Sequence, residues 1–209
     1  MTICAGMERS GSTVAWQIVK HLTGVSPTKT HTYTPGDAPV LYTFRHPKEA
    51  YLSLRRCFEQ IYPTSIAVDY AEERICMQLS VFSRLQKDFA KQNRNVLFLR
   101  YEDFYFREEE RIKMIAGWLG LEVKERHLRE IAKKTSVQLN KAVAGTTTNF
   151  GDFDETTGLH GKHINPTTNG CPGMLISTIS NAQDVFLKSQ KMIDMCVHFG
   201  YDPNNVVVK

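Results

Sequence analysis

Four short segments of the 209-residue chain hold side chains able to bind or move an anionic group. The first is Gly6-Met7-Glu8-Arg9-Ser10-Gly11-Ser12-Thr13, set between an apolar run and an amphipathic stretch. Its two glycines, separated by four residues, have the spacing of a phosphate-binding loop, in which converging backbone N–H groups and a helix N-terminus hold the anion. A nucleotide triphosphatase would continue Gly-Lys-Ser/Thr. Here Ser12 stands in place of that lysine and the cation, Arg9, lies inside the loop. That departure argues against ordinary Mg²⁺–ATP hydrolysis. The plainer reading is a Gly/Ser turn capping a helix through Ser10 or Ser12.

The second segment is Lys29-Thr30-His31. In an extended chain, a Lys two residues before a His shares its face. Such a pair is able to deprotonate a hydroxyl while neutralising charge on a transferring group, although most Lys/His pairs are solvated surface. The third, Val40-Leu41-Tyr42-Thr43-Phe44-Arg45-His46-Pro47, reads as a strand ending in Arg45, with Ser53 eight residues beyond it. Pro47 would open a helix, and Arg45 would face the ligand crevice of an open α/β sheet. Otherwise it is a surface arginine beside a helix start. The fourth, Val96-Leu97-Phe98-Leu99-Arg100-Tyr101-Glu102-Asp103-Phe104, ends a second apolar strand in an aromatic and two acids. Its blander reading is an acidic helix cap.

These segments need a scaffold, and the hydrophobic pattern supplies one. Strands are expected over 2–5, 40–44 and 96–99, each short, apolar and followed by polar residues. Helices are expected over 13–22, 47–59, 69–92, 107–119, 124–135 and 181–199, the last stopped by Gly200. Short apolar strands between helices imply an α/β fold, a three-layer sandwich around a central parallel sheet. No linker or repeat divides the chain, so one domain over 1–209 is expected. The Thr-, Asn- and Gly-rich stretch 139–173 has little periodicity and is expected to be a mobile loop covering the acceptor and nucleotide.

Composition narrows the classes. With 42% hydrophobic and 23% charged residues the chain is that of an ordinary globular protein. No apolar run approaches the ~20 residues of a membrane span, and the N-terminus lacks the regions of a signal peptide. Five cysteines without Cys-x-x-Cys spacing suit reduced thiols. A cytoplasmic location is expected. The net charge of +4 is too small to argue for nucleic acid, and basic residues are not interleaved with aromatics. Residues 1–100 hold 13 Lys and Arg against 8 Asp and Glu, which fits a local anion site in the half that carries the motifs.

Taken together, the order and spacing of the four segments resemble the sulfotransferase family that uses 3′-phosphoadenosine 5′-phosphosulfate (PAPS). Arg9-Ser10-Gly11-Ser12-Thr13 is similar to its 5′-phosphosulfate loop, and Lys29-Thr30-His31 to the segment carrying its catalytic base. Arg45 and Ser53 match the spacing of its 3′-phosphate site, and Tyr101-Glu102-Asp103 the segment that meets the adenine. The resemblance implies a fold with the topology of P-loop nucleotide hydrolases and transfer of a sulfuryl group to an acceptor hydroxyl, leaving 3′-phosphoadenosine 5′-phosphate (PAP). It implies His31 as general base, with Lys29 and Arg9 offsetting charge on the sulfuryl group. Main-chain N–H groups of residues 10–14, from Ser10 through Gly11, Ser12 and Thr13 to Val14, would hold the 5′-phosphate. Arg45, Ser53 and Lys162 would hold the 3′-phosphate, with Tyr101 against the adenine and no metal.

The resemblance thins beyond about residue 121. Where the family has Arg-Lys-Gly, this chain offers His160-Gly161-Lys162-His163. A metal site made of His160, His163 and Cys171 is a weaker alternative, one ligand short of four. Val14 stands where family members often have Trp, and the usual dimer motif lacks its Lys and Glu over 176–185. A monomer, or a dimer built otherwise, is expected. The acceptor pocket is expected to be shallow, with Tyr33, Tyr51, Phe58, Tyr62, Phe150 and Phe153 as candidate lining. Two rival readings are a small P-loop nucleotide or adenylyl-sulfate kinase and a non-catalytic nucleotide-binding protein of the same fold.

Overall fold

The computed structural model describes residues 1–91, 94–146, 152–161, 164, 168, 170–175 and 184–204. Four parallel strands form the central sheet: β1 (Ile3–Gly6), β2 (Thr28–Thr30), β3 (Val40–Phe44) and β4 (Val96–Arg100), in the order β2-β1-β3-β4. Ile3 pairs with both Thr28 and Val40, and Val40 with Val96, which fixes the register across the sheet. Side chains of a strand alternate between faces, and both faces here are apolar. Ile3, Ala5, Val40 and Tyr42 enter one core, with α2 (Pro47–Phe58), α3 (Thr64–Ala90) and a late helix. Cys4, Leu41 and Leu99 enter the other, with α1 (Ser12–Thr23), α5 (Glu108–Trp118) and α6 (Glu125–Lys134). That is the expected three-layer α/β sandwich.

Because β2 and β3 flank β1 on opposite sides, the chain reverses its winding there. Ligands of open parallel sheets bind at this switch point, beyond the carboxyl ends of the strands. All four chemical segments fall at that edge: the Gly6–Gly11 turn after β1, His31 after β2, Arg45 after β3 and Tyr101 after β4, where α4 (Tyr101–Phe104) begins.

Three expectations change. The helix expected from 69 starts at Thr64, directly after Pro63, whose fixed φ favours a helix start. Of the expected 181–199 helix, 181–183 lie outside the described residues, and the rest is α8 (Val185–Lys188) and α9 (Gln190–His198), since Ser189 leaves helical geometry and caps Met192 N–H at 3.2 Å. The stretch 139–173, expected as a loop, opens inside α7 (Val137–Thr146) and also holds a hairpin of β5 (Phe153–Asp154) and β6 (Leu159–His160). α7 buries little besides Asn140 and Ala144. It is held instead by a reciprocal amide pair, Gln17 to Asn140 at 3.0 Å and back at 3.2 Å, which hydrophobic periodicity does not reveal.

Candidate active site

The loop after β1 is shaped by two left-handed residues, Arg9 (φ 68°) and Gly11 (φ 81°), and alternation of this kind turns successive N–H groups inward to form an anion nest. Gly6 must be glycine, since a Cβ there would lie 2.2 Å from the Thr43 hydroxyl. Ser10 faces away from the cavity. Its hydroxyl donates to Met7 C=O at 2.6 Å and lies 2.7 Å from the Thr43 hydroxyl, while its N–H bonds Met7 C=O at 3.2 Å. Ser10 thus ties the loop to β3 from behind, and its N–H is already engaged. The first intrahelical bond of α1 runs from Ala15 N–H to Gly11 C=O. The N–H groups of Ser12, Thr13 and Val14 therefore stand at the positive end of the helix.

A cavity of about 320 Å³ lies against these groups. Of the sequence-predicted residues, Arg9, Gly11, Ser12, Thr13, Val14, Lys29, His31, Arg45, Ser53 and Tyr101 line it, and Ser10 does not. Lys162 and His163 lie outside the described residues, as does Phe150. Tyr33, Tyr51, Phe58, Tyr62 and Phe153 do not line the cavity. Tyr51 is buried against Phe186, Tyr33 bonds Asp88, and Phe58 packs on Tyr62 and Tyr70.

At one end of the cavity stand Lys29 and His31. The His31 ring places Nδ1 2.7 Å from Gly6 C=O. A carbonyl only accepts, so Nδ1 carries the hydrogen and Nε2 keeps the lone pair. Burial lowers the His31 pKa below its ordinary value, and Lys29 and Arg74 push the same way against Glu8 and the Gly6 bond. Gln78 holds the His31 carbonyl at 3.0 Å. Lys29 donates to Thr13 Oγ1 at 2.7 Å and Gly158 C=O at 3.0 Å. Its pKa falls to about 8, through burial and then the charge of Arg9.

Arg45, Ser53 and Tyr101 form the other end. Arg45 is 2% exposed. It donates to Glu49 at 2.7 Å, to Gly170 C=O at 3.3 Å and to Arg9 C=O at 3.4 Å, and its guanidinium lies 4.6 Å from the Tyr101 ring centroid. Its Nε is buried without a hydrogen-bond partner among the described residues, an N–H suited to an incoming anion. Ser53 accepts from Arg9 Nε at 2.9 Å, so Arg9 bridges the two ends. Tyr101 approaches Gly11 so closely that a Cβ there would lie 3.0 Å from its ring, and its hydroxyl donates to Gly170 C=O at 2.8 Å.

Sequence reasoning missed Glu8, Arg74, Val137, Asn140 and Leu159, which also line the cavity, and weighed His160, another lining residue, only as a metal ligand. Glu8 lay inside the quoted loop, but its bond from Arg74 Nε (2.6 Å) spans 66 positions and has no local signal. Glu102 and His46, by contrast, are structural. Glu102 accepts from His46 N–H at 2.9 Å and Tyr201 O–H at 2.6 Å, while His46 caps α2 and is held neutral by burial, its pKa near 4. Among the described residues there is no cluster of three or more His, Cys, Asp or Glu suited to a metal, and no helix is long and apolar enough to cross a membrane.

The family model described as "Sulfotransferase domain" matches residues 28–149, more than half of the chain. The chain belongs to that family, the sulfotransferases that draw their sulfuryl group from PAPS. Among solved structures it is similar to mouse sulfotransferase SULT7A1 complexed with PAP. The TM-score is 0.65 at 12% identity, over 94% of this chain and 84% of that one, a likeness of fold. No curated protein sequence matches. The matched span begins after the first loop, so that loop's assignment rests on its geometry.

Proposed function

We propose that the protein moves the sulfuryl group of PAPS to an acceptor hydroxyl by in-line displacement, with His31 as general base. The acceptor's O–H proton passes to Nε2 of His31 as its oxygen bonds to sulfur. The bond from sulfur to the 5′-phosphate oxygen breaks, and PAP leaves. Lys29 and Arg9 offset the charge that grows on the sulfuryl and bridging oxygens. The N–H groups of residues 11–14 hold the 5′-phosphate; Arg45, Ser53 and Lys162 hold the 3′-phosphate; Tyr101 and Val14 flank the adenine. The observation that carries this reading is the His31 Nδ1 contact with Gly6 C=O at 2.7 Å. It leaves a neutral, lone-pair Nε2 on a ring that shares one cavity with Lys29 and the anion loop. The chain acts as one domain over 1–209, with segment 139–173 bordering the acceptor and nucleotide. Its five unpaired cysteines suit a reducing, cytoplasmic setting.

Thermal unfolding with PAP, ADP and Mg²⁺–ATP at equal concentration tests the donor site, because a ligand that binds only the folded state raises its stability. PAP, without metal, is expected to raise Tm most. A larger, metal-dependent rise with ATP, or no rise with any nucleotide, contradicts the reading.

A further inference from the structure

We propose that Glu49 is a positioning residue for the donor site: its buried carboxylate aims Arg45 at the nucleotide and offsets its charge, so that the 3′-phosphate is recognised and the product still leaves. This rests on the assignment of Arg45 and Ser53 to the 3′-phosphate. Glu49 and Ser53 lie four positions apart on one face of α2, and Arg45 stands four positions before Glu49, just ahead of the helix. Arg45 and Ser53 line the cavity; Glu49, one turn between them, does not. Its side chain is 0% exposed and accepts from Arg45 Nη2 at 2.7 Å, with the Arg45 side chain 3% exposed. Tyr101 covers the face of the guanidinium and the Arg9 carbonyl takes Nη1. Glu49 thus lies behind the cavity wall, with its carboxylate on Arg45 and its field reaching a bound anion.

In so dry a site the carboxylate has two effects of different sign. It fixes the direction in which the guanidinium presents its N–H groups, and it repels a phosphate arriving on the far side. A change that keeps the shape and the accepting oxygen but removes the charge separates them. Glu49→Gln keeps Arg45 aimed and leaves its charge uncompensated, so nucleotides bearing a 3′-phosphate bind more tightly and the rest do not. A carboxylate that merely stabilised the core would leave nucleotide choice untouched.

Calorimetric titration of PAP, and of AMP as the analogue lacking the 3′-phosphate, into wild type, Glu49→Gln and Glu49→Asp tests this. The Gln variant is expected to bind PAP roughly fivefold more tightly with AMP within about twofold of wild type. The Asp variant keeps the charge but withdraws it by one methylene, so it falls between, and it tests the sign alone if the Gln variant does not fold. PAP binding unchanged or weakened in a folded variant, or equal shifts for PAP and AMP, overturns the proposal while the 3′-phosphate site stands. A wild type that does not distinguish PAP from AMP overturns the site assignment and this inference together.

Discussion

The two ends of the cavity are built by opposite electrostatic means. At the His31 end, Lys29 and His31 are pushed toward their neutral forms, both chiefly by burial. At the Arg45 end, the cation is a guanidinium, a planar fork of N–H donors. It is matched by a buried carboxylate at 2.7 Å and covered by a tyrosine ring. The first end therefore holds groups able to gain or lose a proton near neutrality, as a bond-making site requires. The second holds fixed charge and direction, as an anchor requires. Arg9 spans both, with its carbonyl on Arg45, its Nε on Ser53 and its charge acting on Lys29.

Variants at either end should fail differently. With Arg45 on the 3′-phosphate as proposed, Arg45→Ala would remove charge-assisted bonds of ~1.5–3 kcal/mol each, so PAP affinity should drop about 10–100-fold while AMP changes little. Ser53→Ala, which removes one neutral hydroxyl, should cost PAP only about fivefold. Titrations of both nucleotides check this, and an equal loss for PAP and AMP would erase the distinction between the ends.

At the reacting end the contrast sharpens with pH. Lys29 is a cation below about 8 and neutral above it, so kcat/KM should fall about tenfold per pH unit beyond that value. The negative charge of bound donor favours protonated Lys29, so the corresponding limb in kcat should move to higher pH. With His31 as the proposed base, the acid limb should be its own, its lowered pKa keeping the base form present below the ordinary histidine range. A pH–rate profile of Lys29→Arg, which keeps its charge, should lose the alkaline limb near 8. Retention of that limb would assign it to another group.

Much of this was legible in the chain itself, for a physical reason. Strand Val40–Phe44 falls where the apolar run falls, because a fully buried parallel strand is apolar on both faces. The four chemical segments are local, each following one strand, so order and spacing suffice to find them. Ser10 shows where that logic stops, since a motif position identifies the loop but not which of its side chains face the cavity. Arg74 and Asn140 act from helices packed far along the chain, Arg74 on Glu8 across 66 positions, and α7 forms through an amide pair spanning 123 positions. Glu102 reads as part of an adenine motif, yet it is consumed in bracing His46 and Tyr201.

The central claim is that His31 removes the acceptor proton while other groups hold the donor. It is tested most directly by single-turnover transfer from PAPS in wild type and His31→Ala, with PAP affinity measured alongside. Transfer is expected to fall by ~10²–10⁴, with PAP affinity within about twofold of wild type. Undiminished transfer, or a loss of transfer matched by an equal loss of PAP binding, would contradict the role assigned to His31.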